Sequence, residues 1–192
     1  MAGRSRNPAE RRAAKADVDD PAVVLEAGLR FLEARARSEA EVRRRLISAG
    51  YRPELVEGAI TRLADLGVLD DAAFARSWIE SRDRARPRGE RALANELRIK
   101  GVDRETVAAA LEARRDAVAE AFDPAENDSP PSADESAATR LIERNARSLA
   151  RVVDPRARRQ RAYALLARNG FDPGVCATVA ARVTEASDDE SD

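Results

Sequence analysis

The chain has 192 residues, of which 36% are charged and only 4% aromatic, and its formal net charge is −1. So few large side chains argue against one large core and favour several small modules with cores of Leu, Val, Ile and Ala. Histidine is absent and Cys176 is the only cysteine. An internal disulfide and a zinc site built from His and Cys are therefore excluded.

The start of the chain is charged and lacks the apolar stretch of a secretory signal, and no apolar run is long enough to span a bilayer. We therefore expect a cytoplasmic protein with no membrane partner. Ala, Leu, Arg and Glu dominate the sequence, and these residues favour helices. Because no segment alternates β-branched or aromatic residues with polar ones, the fold is predicted to be all-α.

Helix signals follow one another along the chain in a repeated order. A helix with an apolar face precedes Ser38, which begins a capping-box sequence and so opens a second helix. Pro53 suits the first turn of a third helix. Apolar residues at helical spacing return between 71 and 84 and again between 139 and 151. Asp154, followed by a proline, is a natural N-cap for the penultimate helix.

An internal repeat is marked by a leucine, three residues, a glycine and an apolar residue. It occurs three times: Leu46, Gly50 and Tyr51; Leu97, Gly101 and Val102; Leu166, Gly170 and Phe171. A glycine at this position ends a helix in a left-handed conformation, and the next apolar residue packs back on the last turn. The pattern predicts a helix, a glycine turn and a second helix in each repeat.

Three tandem three-helix modules follow from this repeat, and we expect them to form an elongated, curved, solenoid-like chain. The predicted division is a disordered N-terminal extension at 1–21, modules at 22–69, 70–115 and 137–184, an acidic flexible linker at 116–136, and an acidic disordered tail at 185–192.

Charge is distributed unevenly. Seven acidic and no basic residues lie between 116 and 137, whereas ten arginines and three acidic residues lie between 138 and 183. The linker and the tail cannot bury enough apolar surface to offset the entropy of ordering. The basic charge is almost all arginine, which suits flat, bidentate contacts with phosphate or carboxylate groups.

No catalytic constellation is present. The sequence offers no histidine base, no phosphate-cradling glycine-rich loop, and no serine or cysteine with a catalytic partner. We therefore expect no enzyme activity, no cofactor, no metal and no small-molecule substrate.

A signature covers the second module. Leu69, Asp70, Asp71, Phe74 and Ala75 are followed by Trp78 and Arg82, and then by Glu96, Leu97, Lys100 and Gly101. This pattern resembles the signature of the RecX family, regulators of the RecA recombinase. The resemblance runs through residues 22–112. It is weaker in the third module, where the acidic linker is an insertion relative to the family pattern.

The resemblance implies a function. RecX-like proteins bind the RecA–DNA filament and dampen ATP hydrolysis, strand exchange and the coprotease stimulation of LexA cleavage, as part of recombination, DNA repair and the SOS response. They are non-enzymatic and use no cofactor. Some members also bind single- or double-stranded DNA. We expect a monomer that acts on a RecA filament.

Two groups of arginines are the candidate contacts with a RecA filament or DNA phosphate. A solvated surface is the alternative interpretation for both groups, although arginines at a helix start oppose the helix dipole and so favour a binding role. The groups are Arg82, Arg84, Arg86, Arg88 and Arg91, which surround a turn, and Arg156, Arg158, Arg159 and Arg161, which open a helix.

Other marked residues favour structural roles. Asp70 or Asp71 is expected to cap the following helix, with a carboxylate contact to a partner as the alternative. Phe74 and Trp78 share a helix face and are predicted core residues, although an exposed Trp78 could stack on a base. Cys176 occupies an apolar repeat position and is predicted to be buried.

Two other functions stay open on the sequence. Small helical modules with basic faces can enter a major groove, so a direct DNA-binding regulator of helix–turn–helix type is the main rival. A general protein-interaction scaffold is the other. Sequence-dependent binding to naked duplex DNA would favour the DNA-binding regulator. Binding that requires a RecA filament would favour the RecX hypothesis.

Overall fold

The computed structural model of the chain describes residues 7–122 and 131–185. These residues form an all-α helical repeat, and no strand occurs among them. None of the helices described is long and apolar enough to cross a membrane. Within these described ranges there are ten helices: α1 (Pro8–Ala16), α2 (Pro21–Leu32), α3 (Glu39–Ala49), α4 (Pro53–Asp65), α5 (Asp71–Ala85), α6 (Glu90–Lys100), α7 (Arg104–Glu120), α8 (Ala133–Ala150), α9 (Pro155–Arg168) and α10 (Pro173–Glu185).

The helices form three successive triplets, which we call the first (α2–α4), second (α5–α7) and third (α8–α10) modules. The described residues divide into two compact units, one within Met1–Phe74 and Ile99–Asp103 and the other within Ala75–Arg98 and Arg104–Asp192. The unit boundary therefore runs through α5 and α6, inside the second module. The division into three domains stays a prediction from the sequence.

The predicted glycine turns are confirmed. Gly50, Gly101 and Gly170 have φ values of 109°, 89° and 81°, a left-handed region that residues with a Cβ rarely adopt. The leucine four residues before each glycine and the apolar residue after it are buried in every case. The capping box at Ser38 is also present, since its side chain accepts the Glu41 amide and the Glu41 side chain accepts the Ser38 amide.

Each described core is small and aliphatic, as the composition predicted. In the first module Val24, Val42, Val56 and Leu63 are fully buried together. In the third module the core is centred on Leu166 and contains Cys176, which is fully buried as predicted. Full burial of an aliphatic side chain contributes about 1.5–3 kcal/mol. A core this small therefore contains only a few such contributions.

A short polar joint connects α3 to the glycine turn of the second module. The Ser38 hydroxyl donates to the Lys100 carbonyl oxygen at 2.6 Å, and the Glu39 amide donates to Asp71 Oδ1 at 2.8 Å. A Cβ on Gly101 would lie 2.3 Å from the Cβ of Ala40. The first turn of α3 and the turn at Gly101 therefore meet almost backbone to backbone.

The same joint occurs between α6 and the glycine turn of the third module. The Gly89 amide donates to the Asn169 carbonyl oxygen at 3.0 Å, and the Glu90 amide donates to both carboxylate oxygens of Asp134, at 3.1 and 3.2 Å. A Cβ on Gly170 would lie 2.5 Å from the Cβ of Ala92. In both joints, an aspartate near the start of one module accepts a free amide at the start of a helix in the module before it.

Helix α1 occupies the corresponding place at the first glycine turn. A Cβ on Gly50 would lie 2.5 Å from the Arg12 carbonyl oxygen, and the Lys15 ammonium lies over the Tyr51 ring at 5.0 Å from its centroid. Asn7 caps α1 in a capping box with Glu10. With no preceding module in the described chain, α1 covers the turn that a module covers elsewhere.

The structure differs from the predicted disorder in three places. Helix α1 lies inside the predicted extension at 1–21, because its caps and its contact with the Gly50 turn stabilise it. Within the predicted linker, α7 continues to Glu120, and α8 begins at Ala133 through a capping box at Ser132. Of the predicted disorder, residues 1–6, 123–130 and 186–192 lie outside the described residues.

The stability effect of the close approach at Gly101 can be measured by comparing it with Gly67, a second left-handed glycine with open surroundings. Gly67 also has a positive φ, 67°, but no atom lies within 4 Å of the position of its missing Cβ. We expect Gly67→Ala to lose about 1–2 kcal/mol of unfolding free energy from the left-handed backbone alone. Gly101→Ala should lose about 1–3 kcal/mol more, because its methyl group would displace Ala40.

Urea unfolding followed by circular dichroism measures both losses. Equal losses for the two variants would show that the turn at Gly101 does not require the close contact.

Candidate partner-binding surface

Three residues of the second module's signature form a cluster on α5 and α6. The indole N–H of Trp78 donates to Glu96 Oε2 at 2.8 Å, and Arg82 Nε donates to the same oxygen at 2.7 Å. The Arg82 guanidinium also lies over the Trp78 ring, 4.4 Å from its centroid, and Arg88 Nε lies 3.7 Å from Glu96 Oε1. Trp78 was predicted to be a core residue. It is only half-buried, and its indole N–H is hydrogen-bonded to the side chain of Glu96.

The cluster separates the five middle arginines into two kinds. Arg82 and Arg88 are partly buried and share one carboxylate, so part of their charge is neutralised within the fold. Arg84, Arg86 and Arg91 are exposed. Among the described residues their guanidinium groups form no ion pair, so we regard them as the part of this group that can reach a partner.

The second group lies on α9. The Asp154 side chain caps this helix by accepting the amides of Arg156 and Ala157. Arg158 is partly buried and its Nε donates to the Val152 carbonyl oxygen at 3.0 Å. Arg156, Arg159 and Arg161 are exposed, so three of the four predicted arginines present their charge to solvent.

The remaining signature residues build the joint with the first module. Leu69 is buried, and the predicted cap is confirmed for Asp70, whose side chain accepts the Ala73 amide at 2.9 Å. Asp71 turns instead to the Glu39 amide. The Lys100 ammonium pairs with Glu41 at 3.2 Å while its carbonyl oxygen accepts the Ser38 hydroxyl.

The pKa values at this joint reflect its burial. Burial raises the pKa of Asp71, and the nearby charge of Asp103 adds to the rise, although the Glu39 amide opposes it. Burial and the Asp71 charge likewise raise the pKa of Glu39. Burial also acts to raise the pKa of Glu41, but the Ser38 amide and Lys100 outweigh it and lower that pKa.

Arg114 on α7 was not recognised from the sequence. Its side chain is hydrogen-bonded to several other described segments of the second unit. Its guanidinium pairs with Asp83 through two hydrogen bonds of 2.8 and 3.0 Å and with Asp134 through one of 2.8 Å. It also donates to the carbonyl oxygens of Arg88 and Ala133. Only 4% of the side chain is exposed, so α7 is tied to α5, to the start of α6 and to α8 by one buried group.

Burial acts to lower the pKa of Arg114, but its hydrogen bonds with Asp83 and Asp134 outweigh burial and raise the pKa. One signal in the sequence could have identified this residue. Val107, Ala110 and Leu111 are buried, and Arg114 follows them at the next position of the same helix face. A charge at the end of an apolar face indicates a buried ion pair when acidic residues are available on neighbouring helices.

The repeated glycine turns, the two equivalent joints and the exposed arginines define an all-helical repeat protein with a basic surface in its second and third modules. Residues 25–63 match the family model described as the first three-helix domain of RecX, and residues 70–111 match the second three-helix domain. These two matches, which together cover less than half of the chain, support a RecX family protein.

Individual relatives agree. Over 83 residues the chain is 48% identical to the regulatory protein RecX of Mycobacteroides abscessus and 43% identical to that of Mycolicibacterium smegmatis. These alignments cover 43% of this chain and 41% and 44% of the two relatives. The aligned part therefore spans less than half the length of these curated relatives.

Two solved structures share the fold over a longer range. The crystal structure of RecX from Lactobacillus salivarius has a TM-score of 0.68 at 20% identity and covers 86% of this chain and 97% of that one. A second crystal structure of a regulatory protein RecX has a TM-score of 0.64 at 22% identity, covering 93% of this chain and 80% of that one. The described helices are therefore those of a RecX fold.

The burial of Arg114 predicts a large difference from its neighbour Arg115, which pairs with Glu90 but is 56% exposed. Arg114→Met should lose about 3–5 kcal/mol of unfolding free energy, because Asp83 and Asp134 would stay buried without their partner. Arg115→Met should lose less than about 1 kcal/mol. Urea unfolding measures both values.

Adding Asp83→Asn and Asp134→Asn to Arg114→Met removes the uncompensated charges and should recover part of the loss. No recovery would mean that the guanidinium acts by filling space and not by pairing.

The raised pKa of Asp71 predicts the pH dependence of its replacement. The ionised carboxylate is less favourable in the folded than in the unfolded chain, so this residue's contribution to stability increases as the pH falls through its raised pKa. Asp71→Asn keeps an acceptor for the Glu39 amide and has no charge. It should therefore be at least as stable as the unmodified protein at pH 7, with the difference shrinking towards pH 4.

Urea unfolding at several pH values checks this expectation. Asp71→Ala is the control, and it should lose about 1–3 kcal/mol at pH 7, because the Glu39 amide loses its acceptor. A pH 7 loss by Asp71→Asn equal to that of Asp71→Ala would show that the joint needs the charge.

Proposed function

We propose that the protein binds the filament that RecA recombinase forms on DNA and inhibits its ATP hydrolysis, strand exchange and coprotease activity. Similarity to the RecX family supports this function, since the resemblance of the second module implies a regulator of RecA. In this proposal the protein acts in the cytoplasm as a monomer, without catalysis and without a cofactor.

The observation that carries the proposal is the set of exposed arginines in the second and third modules. Arg86 and Arg91 flank the turn before α6, and Arg156 and Arg159 lie at the start of α9. Among the described residues these four guanidinium groups form no ion pair. Charges that a fold does not neutralise are available to a partner, and a filament of protein and DNA presents both carboxylates and phosphates.

The arginines held by Glu96 have a different part in the proposal. Arg82 and Arg88 position the turn between α5 and α6 through their shared carboxylate. They therefore support the exposed arginines, and their own charges are weaker candidates for direct contact. Charge-dependent binding of this kind is expected to weaken steeply as the salt concentration rises.

The experiment is a titration of RecA's ATP hydrolysis on single-stranded DNA with the full chain. Inhibition well below one copy per RecA is the expected result. The double variants Arg86→Glu/Arg91→Glu and Arg156→Glu/Arg159→Glu should each raise the half-inhibitory concentration by at least about tenfold, or about 1.4 kcal/mol of binding free energy. Thermal unfolding shows whether each variant is folded.

The control is Arg104→Glu/Arg182→Glu, which makes the same change in net charge at exposed arginines outside both groups. If the control variant loses as much inhibition as the others, the effect is one of net charge and the two groups are not the binding surface. If the unmodified chain has no effect even in excess and at low salt, the RecA proposal is wrong. Tight, sequence-dependent binding to naked duplex DNA would then favour a direct DNA-binding regulator.

A further inference from the structure

A groove lies within the second unit, between α5, α7 and α8, and apart from Arg84 on its rim none of its lining belongs to the candidate arginines of the proposed function. Its volume is about 800 Å³, which is in the range of sites that hold ligands or partner side chains. One side is formed by α7 from Ala110 onwards and by the two residues that follow this helix, Ala121 and Phe122. At 1.5 Å per residue the helical part, from 110 to 120, is about 15 Å long, or a little under three helical turns.

The floor of the groove is made of small and apolar side chains. Ala113 and Ala117 on α7 and Ala121 just after its end recur every four residues, and Val118 and Phe122 lie beside them. The three alanines are exposed, whereas Val118 and Phe122 are partly buried. Small side chains at this spacing leave room for a second helix to approach the backbone of α7 closely.

Basic groups dominate the rim. The lining contains four arginines and two acidic residues, Glu80 and Asp83, and Asp83 already accepts two hydrogen bonds from the buried Arg114. Arg76 and Arg84 are exposed, and among the described residues their guanidinium groups form no ion pair. Arg140 reaches Asp83 only at 3.8 Å.

We propose that this groove docks an acidic amphipathic helix from a partner protein. Leucine-sized side chains of that helix cover the alanine floor, and its flanking carboxylates pair with Arg76, Arg84 and Arg140. An apolar floor with a basic rim favours such a helix over a nucleic acid, whose charged backbone has no aliphatic groups to cover the floor. Docking of an amphipathic helix in a groove is a common mode of peptide recognition.

The probe is a fluorescein-labelled synthetic peptide of about 16 residues, long enough to span the groove. It carries leucines on one face and glutamates on the flanks, and a scrambled peptide of the same composition is its control. Fluorescence anisotropy with the full chain measures binding, without RecA or DNA. We expect saturable binding of the patterned peptide, at least about tenfold tighter than that of the scrambled one.

Matched variants locate the binding. Ala117→Glu places a carboxylate on the floor, whereas Ala119→Glu places one on an exposed position of the same helix that does not line the groove. Ala117→Glu should weaken binding at least about tenfold and Ala119→Glu less than about twofold. Arg76→Glu/Arg84→Glu should also weaken it, against Arg104→Glu/Arg182→Glu as the charge-matched control.

Three results would overturn the proposal: no preference for the patterned peptide, equal effects of Ala117→Glu and Ala119→Glu, or displacement of the bound peptide by a short single- or double-stranded DNA. The last result would identify the rim as a phosphate-binding surface. Since RecA is absent from this assay, failure of the groove and failure of the RecA proposal are distinguishable.

Discussion

The close contact between a glycine turn and the first turn of a helix in the module before it is the constraint on which the rest of the structure depends. Gly101 meets Ala40 and Gly170 meets Ala92, and at each joint a free amide at the start of the helix donates to an aspartate of the following module. Because the aliphatic cores are small, a module of this size gains much of its stability from its neighbours. A side chain at either glycine would separate the surfaces and break the amide–carboxylate bond with them.

This constraint explains why the family signature is mainly structural. Leu69 and Leu97 are buried, Asp70 caps a helix, and Asp71 and Lys100 build a joint. Residues committed in this way have little freedom to contact a partner. The signature therefore identifies the fold, whereas the proposed function rests on exposed arginines that the signature does not include.

The sequence predicted what is decided locally, and it missed what is decided between distant residues. The glycine turns and the capping box at Ser38 depend on neighbouring residues, so their patterns were sufficient. The role of Arg114 depends on Asp83 and Asp134, which come from two other helices. The helix at 8–16 has a local signal, the capping box at Asn7, that was overlooked because the segment is polar, whereas its contact with the turn at Gly50 could not be predicted from the sequence. The positions of the candidate arginines could be predicted from the sequence, but the pairing of Arg82 and Arg88 with Glu96 joins two helices and could not.

Arginine has two opposite uses in this chain, and the number of nearby carboxylates separates them. Arg114 is almost fully buried and donates to two carboxylates and two carbonyl oxygens, so its charge is neutralised within the fold. Arg86 and Arg159 are exposed, and their charges extend into solvent, where salt screens them. An uncompensated charge adds little to the stability of a monomer, but it can attract an oppositely charged partner. A cluster of arginines in the sequence is therefore informative about function only after the carboxylates around each one are known.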